Sequence, residues 1–141
     1  MTDLAADELA RFEAGEIDPV SFSHREHVRM AFELLRQSSF TEAAARFAAG
    51  LKRLVGRAGQ PQAYHETMTV AFLALIAERM ASAEASSFAE FEAAHPELFD
   101  KTLLSRWYAP EILSSAAARA TFVLPPPAHA KGPSSFPNSS S

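Results

Sequence analysis

The sequence predicts an all-α fold, a single-domain helical bundle of five to seven helices over residues 1–124 with a flexible Pro/Ser-rich C-terminal tail over residues 125–141. The chain has 141 residues, which is enough for one hydrophobic core. Alanine is frequent and β-branched residues are few, a composition that favours helix. Apolar residues recur at helical spacing, and no segment alternates between apolar and polar residues as a half-exposed strand does.

Two helices are predicted in the first part of the chain. The first covers residues 3–14 and carries an apolar face. The second opens at Ser23 and ends near Gln37. Ser23 and Glu26 have the spacing of a capping box, and Phe22 is placed to pack as a hydrophobic staple.

Two longer helices are predicted to follow. The third is expected to be capped by Thr41 and to end near Val55. The fourth, over residues 62–83, is the longest and most apolar, which predicts that it lies at the centre of the bundle.

Three short helices are predicted before the tail. They cover residues 87–95, 100–107 and 110–119. The first is expected to begin with a capping box formed by Ser87 and Glu90. Prolines then accompany the end of the first helix and open the last one.

Three histidines are predicted to meet at one end of the bundle. His24 and His27 lie in the first turn of the second helix, and His65 lies near the start of the fourth. Short loops make consecutive helices antiparallel, so the second and fourth helices begin at the same end. His95 is expected to return to this end, and Lys101 lies nearby. The positive partial charge of helix N-termini disfavours imidazolium, which predicts neutral histidines.

The histidines predict a divalent-metal site. His24 and His27 are three residues apart and share one helix face, so they can chelate one ion, with His65 as a third ligand from another helix. Zinc, iron(II) and manganese all suit such ligands, and the sequence does not separate them. The alternative is that His24 is a solvated first-turn residue and that His27 packs against Phe22.

His65 and Glu66 are the predicted catalytic residues. Glu66 would act as a base or would orient a histidine. The pair matches only the first half of the HExxH zinc-protease motif, because Thr69 stands at the position of its second histidine. The alternative is that Glu66 only complements the N-terminal charge of its helix.

Four residues are predicted to bind substrate, namely Tyr64, Lys101, Trp107 and Tyr108. Tyrosine and tryptophan combine an apolar body with a polar group and can line a pocket. Lys101 can hold an anion together with helix N-termini. The alternatives are packing at a helix corner for Trp107 and Tyr108, and a solvated lysine.

Composition excludes several classes of function. The net charge is −4 and no basic cluster is present, so no nucleic-acid partner is expected. Cysteine is absent, which excludes disulfides and thiolate chemistry. No signal-peptide pattern and no apolar run of about 20 residues are seen, so the expectation is a cytoplasmic protein without a membrane span. A homodimer is compatible with an alanine-rich bundle of this size.

Three segments carry a family resemblance. They are FSHREHVRMA at residues 22–31, YHETMT at 64–69 and LLSRWYAPE at 103–111. The chain resembles, over about residues 18–125, a family of small, largely uncharacterised bacterial all-helical proteins with FxHxxHV and YHETxT motifs. The resemblance implies a helical fold and a site location but no particular reaction. The positions it implies for the site are His24, His27, His65 and Glu66.

Three uses of this site are compatible with the residues. The leading hypothesis is a metal-dependent enzyme acting on a small molecule. A second is metal-free acid–base catalysis by His24, His27 or His65. A third is a non-catalytic ligand-binding or protein-interaction module, in which the histidines line a pocket or stabilise the fold.

Overall fold

The computed structural model describes residues 4–82 and 85–127. Within these ranges the chain forms seven α-helices and no strand, which confirms the all-α prediction. Single turns of 3₁₀-helix join several of them. Most of the predicted tail, from residue 128 onward, lies outside the described residues. The α-helices are α1 (Leu4–Ala14), α2 (His24–Gln37), α3 (Phe40–Arg57), α4 (Glu66–Ser82), α5 (Phe88–Ala94), α6 (Pro110–Leu113) and α7 (Ala116–Ala120).

Helix α1 packs closely against α3. The Phe12 side chain is fully buried, and a Cβ atom at Gly50 would lie within 3.0 Å of its ring. Gly50 therefore lets the two helices approach. Gly15, at φ +75°, ends α1 in the left-handed conformation that glycine adopts without strain. Arg53 and Arg57 of α3 then donate hydrogen bonds to the carbonyls of Glu13 and Gly15.

Helix α2 begins as the sequence predicts, with half of the expected capping box. The Ser23 hydroxyl accepts the N–H of Glu26 at 3.4 Å. The Glu26 carboxylate turns away to Arg29, at 2.7 Å, so it does not return to the Ser23 backbone. The Phe22 ring packs on the His27 ring with centroids 4.5 Å apart. The hydrophobic staple is therefore formed, and His27 is its second member.

Helix α3 begins earlier than predicted. Ser39, not Thr41, is the N-cap, and Thr41 lies inside the first turn. Ser39 has extended backbone angles, and Glu42 stands three residues later, so the two side chains complete a reciprocal capping box. The helix continues to Arg57, two residues past the expected end.

Helix α4 begins later than predicted, at Glu66 rather than residue 62. Pro61–Ala63 forms a separate 3₁₀ turn, and Tyr64 is extended, so the chain changes direction before the helix starts. The helix contacts α2, α3 and α7. Neighbouring segments cover α4 on several sides, so its buried residues spread over much of the helix circumference; they are Thr67, Thr69, Phe72, Leu73, Leu75 and Ile76.

The last three predicted helices are shorter or divided. Ser87 caps α5, but Glu90 binds Ser86 instead of completing a capping box with Ser87. The helix expected over 100–107 is only the 3₁₀ turn Leu103–Arg106. The helix expected over 110–119 is divided into α6 and α7, because Ser115 is extended and caps a new helix.

The chain after α7 lies along α4. The Thr67 hydroxyl donates to the carbonyl of Thr121 at 2.8 Å and accepts the N–H of Val123 at 3.0 Å. The hydroxyl of Tyr108 donates to the Val123 carbonyl at 2.7 Å. These bonds fix the C-terminal segment of the domain against α4. None of the described helices has the length and apolarity needed to cross a membrane.

Candidate functional site

A cavity of about 460 Å³ lies between the starts of α2 and α4 and the C-terminal half of α3. Its size falls in the range of small-molecule pockets. Much of its wall is apolar and includes Phe22, Phe47, Leu51, Met68, Phe72 and Ile76. Five of the predicted site residues line it, namely His24, His27, Tyr64, His65 and Lys101. The structure thus brings the three histidines to one cavity.

His65 is the N-cap of α4, and both of its ring nitrogens are used. Its Nε2–H donates to the carbonyl of Leu113 at 2.7 Å, and its Nδ1 accepts the N–H of Met68 at 3.1 Å. A histidine side chain here replaces the serine or aspartate more usual at an N-cap. The ring is therefore neutral, with the proton on Nε2, and ties α4 to α6. It is 8% exposed.

His24 is the first residue of α2 and has one ring nitrogen engaged. Its Nε2–H donates to the carbonyl of Leu98 at 2.9 Å, and its ring meets the edge of Phe72 with centroids 5.0 Å apart. Within the described part of the chain, Nδ1 has no hydrogen-bond partner. The imidazole is therefore oriented by a backbone carbonyl, and its Nδ1 is available to a ligand.

His27 is oriented in the same way through its other nitrogen. Its Nδ1–H donates to the Ser23 carbonyl at 3.0 Å, which leaves Nε2 without a partner among residues 4–82 and 85–127. Burial lowers the pKa of His27, and the neighbouring His24 lowers it further, against the raising effect of the Ser23 carbonyl. His27 is thus a neutral imidazole whose Nε2 lone pair is free.

Tyr64 and Glu66 form a pair beside the cavity. The Tyr64 hydroxyl donates to the Glu66 carboxylate at 2.7 Å. Burial, and then this hydrogen bond, raise the pKa of Tyr64 well above its ordinary value, so the phenol stays protonated. Of the two, Tyr64 lines the cavity and Glu66 does not. Glu66 is therefore linked to the cavity by its hydrogen bond with Tyr64.

Lys101 is exposed and borders the cavity, whereas the two other predicted substrate-binding residues lie elsewhere. Tyr108 is 3% exposed, and its hydroxyl is committed to the Val123 carbonyl. Trp107 is 40% exposed and does not line the cavity. Both residues occupy the corner before Pro110, where packing was the alternative interpretation.

His95 does not join the other histidines. It lies 3.7 Å from Glu97, which also binds Arg79 in the last turns of α4. The end of α5 nevertheless returns beside the start of α2, as predicted, since Glu92 pairs with Arg25 at 2.7 Å. It is the His95 side chain that departs from the prediction. The cavity lining does not include His95.

The geometry bears on a metal in two ways. No group of three or more His, Cys, Asp or Glu side chains in the described ranges is arranged to hold an ion. A third ligand from His65 would require breaking its bond to Met68 or to Leu113. His24 and His27, however, each donate one N–H to a backbone carbonyl, as metal-bound histidines commonly do.

Two residues at the cavity escaped the sequence prediction. Ser23 contributes the carbonyl that orients His27, and Thr69 donates its hydroxyl to the His65 carbonyl at 2.8 Å. The i to i+4 spacing of His65 and Thr69 was the available signal. A capping serine gives no sequence signal for a role of its carbonyl.

No family model matches the chain, and comparison with curated proteins and with solved structures found no match either. The family resemblance carried by the FxHxxHV and YHETxT segments therefore stays a prediction. Any functional assignment of this chain rests on its fold and on the residues of the cavity.

Proposed function

We propose that the protein is an enzyme acting on a small molecule bound in the histidine cavity, with His27 as the group that accepts a proton. The observation that carries this proposal is the state of His27. Its pKa is lowered by burial, its Nδ1 is fixed by Ser23, and its Nε2 is left unpaired at an apolar cavity within the described residues. Neutral imidazole held in one orientation is the form that works as a general base.

The proton transfer involves one ring nitrogen at a time. Nε2 of His27 takes a proton from an acidic C–H, N–H or O–H of the bound molecule, and the imidazolium that forms keeps its Nδ1–H on the Ser23 carbonyl. Reversal of this step at another atom of the ligand returns the proton. A positioned base of this kind contributes about 10²–10⁴-fold to a rate.

Untargeted profiling of a metabolite extract tests the proposal. The purified protein is incubated with the extract, and consumed and formed compounds are measured by mass spectrometry. The variant His27→Asn keeps an amide N–H in reach of the Ser23 carbonyl but removes Nε2. His95→Asn is the matched control, since His95 lies outside the cavity.

The expected result is at least one conversion by the parent protein and by His95→Asn that falls about 10²–10⁴-fold in His27→Asn. A conversion that His27→Asn retains would overturn the role of His27. Retention of a compound without any conversion would favour the non-catalytic binding module. Thermal unfolding of each variant shows whether it is folded.

A metal-dependent form of the same site is the second candidate. It is favoured by the carbonyl bonds of His24 and His27, whose ring centroids lie 6.3 Å apart. These two histidines would be the protein ligands, with water or substrate completing the coordination of zinc, iron(II) or manganese. Such an ion would supply Lewis-acid chemistry at the cavity.

Elemental analysis of untagged protein separates the two candidates. The double variant His24→Gln/His27→Asn keeps an amide donor for each carbonyl while removing both free ring nitrogens. Near-stoichiometric metal in the parent, lost in the double variant and kept in His95→Asn, would establish the metal form. Equal metal content in all three proteins would contradict it.

A further inference from the structure

We infer that the ligand of the histidine cavity is a small monoanion with an apolar body, such as an arylalkyl or alkyl carboxylate, whose anionic group lies at Lys101. This inference deepens the proposed function and rests on it. The charges around the cavity, the chemistry of its wall and its volume all support this ligand class.

Among the described residues, Lys101 is the one permanent positive charge that lines the cavity, and no Asp or Glu lines it. The nearest acidic neighbour in sequence, Asp100, is committed elsewhere. Its carboxylate accepts the N–H of Thr102 at 2.9 Å and the hydroxyl of Thr102 at 2.7 Å, and these bonds lower its pKa. No ion pair of Lys101 is found within the described residues. A bound cation would meet no counter-charge here, whereas an anion would.

Other acidic groups near the cavity are also engaged. Glu66 accepts the hydroxyl of Tyr64, and Glu26 is paired with Arg29 at 2.7 Å. Lys52 lies over the face of the Tyr64 ring, 5.0 Å from its centroid, and does not line the cavity. Of the described residues that line the cavity, Lys101 alone carries a permanent charge, which favours a ligand with one negative charge.

The apolar wall of the cavity favours a ligand that also has an apolar body. Phe47, Leu51 and Val55 of α3 face Met68, Phe72 and Ile76 of α4 across it. Burying an apolar group against such a surface is favourable by about 25 cal/mol per Å². The cavity volume of about 460 Å³ is the volume that roughly 15 molecules occupy in liquid water. A ligand of about that many non-hydrogen atoms fits.

The free lone pairs of His24 and His27 complete the description. Both Nδ1 of His24 and Nε2 of His27 accept hydrogen bonds and do not donate them while the rings are neutral. They are matched by a hydroxyl, an amide N–H or an acidic C–H on the apolar body, not by the carboxylate. The carboxylate is therefore directed to Lys101 and the proton-bearing group to His27.

Binding of hydrocinnamate and of its neutral isostere hydrocinnamamide tests the inference. Both are titrated into ¹⁵N-labelled protein at neutral pH, and dissociation constants are obtained from shifts of the backbone amides of Val28, Leu51 and Met68. The variant Lys101→Met keeps the side-chain stem and removes the charge. Lys52→Met removes a nearby charge that does not line the cavity, and is the matched control.

We expect the carboxylate to bind about fivefold more tightly than the amide to the parent and to Lys52→Met. In Lys101→Met the two ligands should bind equally, with the affinity for the amide unchanged. Equal binding to the parent would overturn the anionic class and leave the small-molecule cavity intact, as would a preference that persists in Lys101→Met. Failure of both ligands to shift any of these amides up to their solubility would count against the proposed function itself.

Discussion

The starts of α2 and α4 carry the same kind of side chain at neighbouring positions and use it differently. At α4 the histidine is the N-cap, so its Nδ1 is consumed by the N–H of Met68. At α2 a serine occupies the N-cap, and the two histidines stand inside the first turn. Each of the three rings gives one N–H to a backbone carbonyl. Of these three rings, the two on α2 each have one nitrogen without a hydrogen-bond partner in the described ranges, and His65 has none.

The difference shows how one residue of register separates a structural histidine from a chemically available one. A capping position supplies a backbone N–H that a ring nitrogen must satisfy. In α2 the N-cap is Ser23, and its hydroxyl accepts the corresponding N–H, that of Glu26. The ring of His24, one residue after the N-cap, is therefore not needed for capping and is available to a ligand. Convergence on a cavity therefore does not by itself make a histidine part of the chemistry.

Among substitutions that test this comparison, we expect the largest effect when His65 is replaced, and the effect is a loss of stability. His65→Ala removes the N-cap of α4 and leaves the partly buried Leu113 carbonyl without its donor, and we expect the free energy of unfolding to fall by about 2–3 kcal/mol. His65→Asn retains an N-cap oxygen and should lose only about 1 kcal/mol. Urea denaturation measures both. Equal losses for Ala and Asn would show that His65 does not cap the helix.

A smaller stability effect is expected at His24. His24→Ala removes the donor of the Leu98 carbonyl and the contact with Phe72, and should cost about 1–2 kcal/mol. His24→Gln carries an amide N–H that reaches the same carbonyl and should cost less than half of that. The same urea experiment tests the pair, and a Gln variant as unstable as Ala would argue against the bond.

The lowered pKa of His27 should make the free energy of unfolding of the parent protein depend on pH. Burial lowers its pKa, so near the ordinary histidine value of about 6.5 the native state binds fewer protons than the unfolded state. The contribution is fully present above that value and declines as the pH falls towards the lowered pKa. Unfolding free energies at pH about 7.5 and about 5.5 should therefore differ more in the parent than in His27→Asn. An identical difference in the two proteins would contradict a lowered pKa.

The smallest effect is expected at Glu66. Glu66→Gln keeps an oxygen that accepts the Tyr64 hydroxyl, so any conversion found by metabolite profiling should change by less than about twofold. Glu66→Ala frees the tyrosine and should weaken substrate binding without a matching loss of turnover. A loss of turnover in Glu66→Gln comparable with that of His27→Asn would restore Glu66 as a base.

Local sequence signals predicted much of the fold. The helical period and the capping serines placed α1, α2 and α5, and the short loops correctly brought the starts of α2 and α4 to one cavity. Helix boundaries failed where two signals competed. Thr41 and Ser39 both suit an N-cap, and the Glu42 that completes the box decided in favour of Ser39.

The sequence could not predict which ring nitrogen of each histidine is engaged, because the partners are backbone atoms that are remote in the chain. The carbonyls of Leu98 and Leu113 that receive His24 and His65 come from turns 74 and 48 residues away along the chain. Every residue has a backbone carbonyl, so no sequence motif indicates which carbonyl will accept a given hydrogen bond. The end of α5 does return beside the start of α2, but the His95 ring lies against Phe91 and near Glu97 instead of at the cavity, an orientation that loop length does not predict.

The tautomers of the histidines test the central claim most directly. A long-range ¹H–¹⁵N correlation spectrum of the folded protein at neutral pH reports which ring nitrogen carries the proton. The structure predicts a proton on Nε2 of His65 and of His24 and on Nδ1 of His27, with the bare Nε2 of His27 shifting when a cavity ligand is added. A proton on Nε2 of His27, or an Nδ1 proton on His65, would contradict the division between the two helix starts.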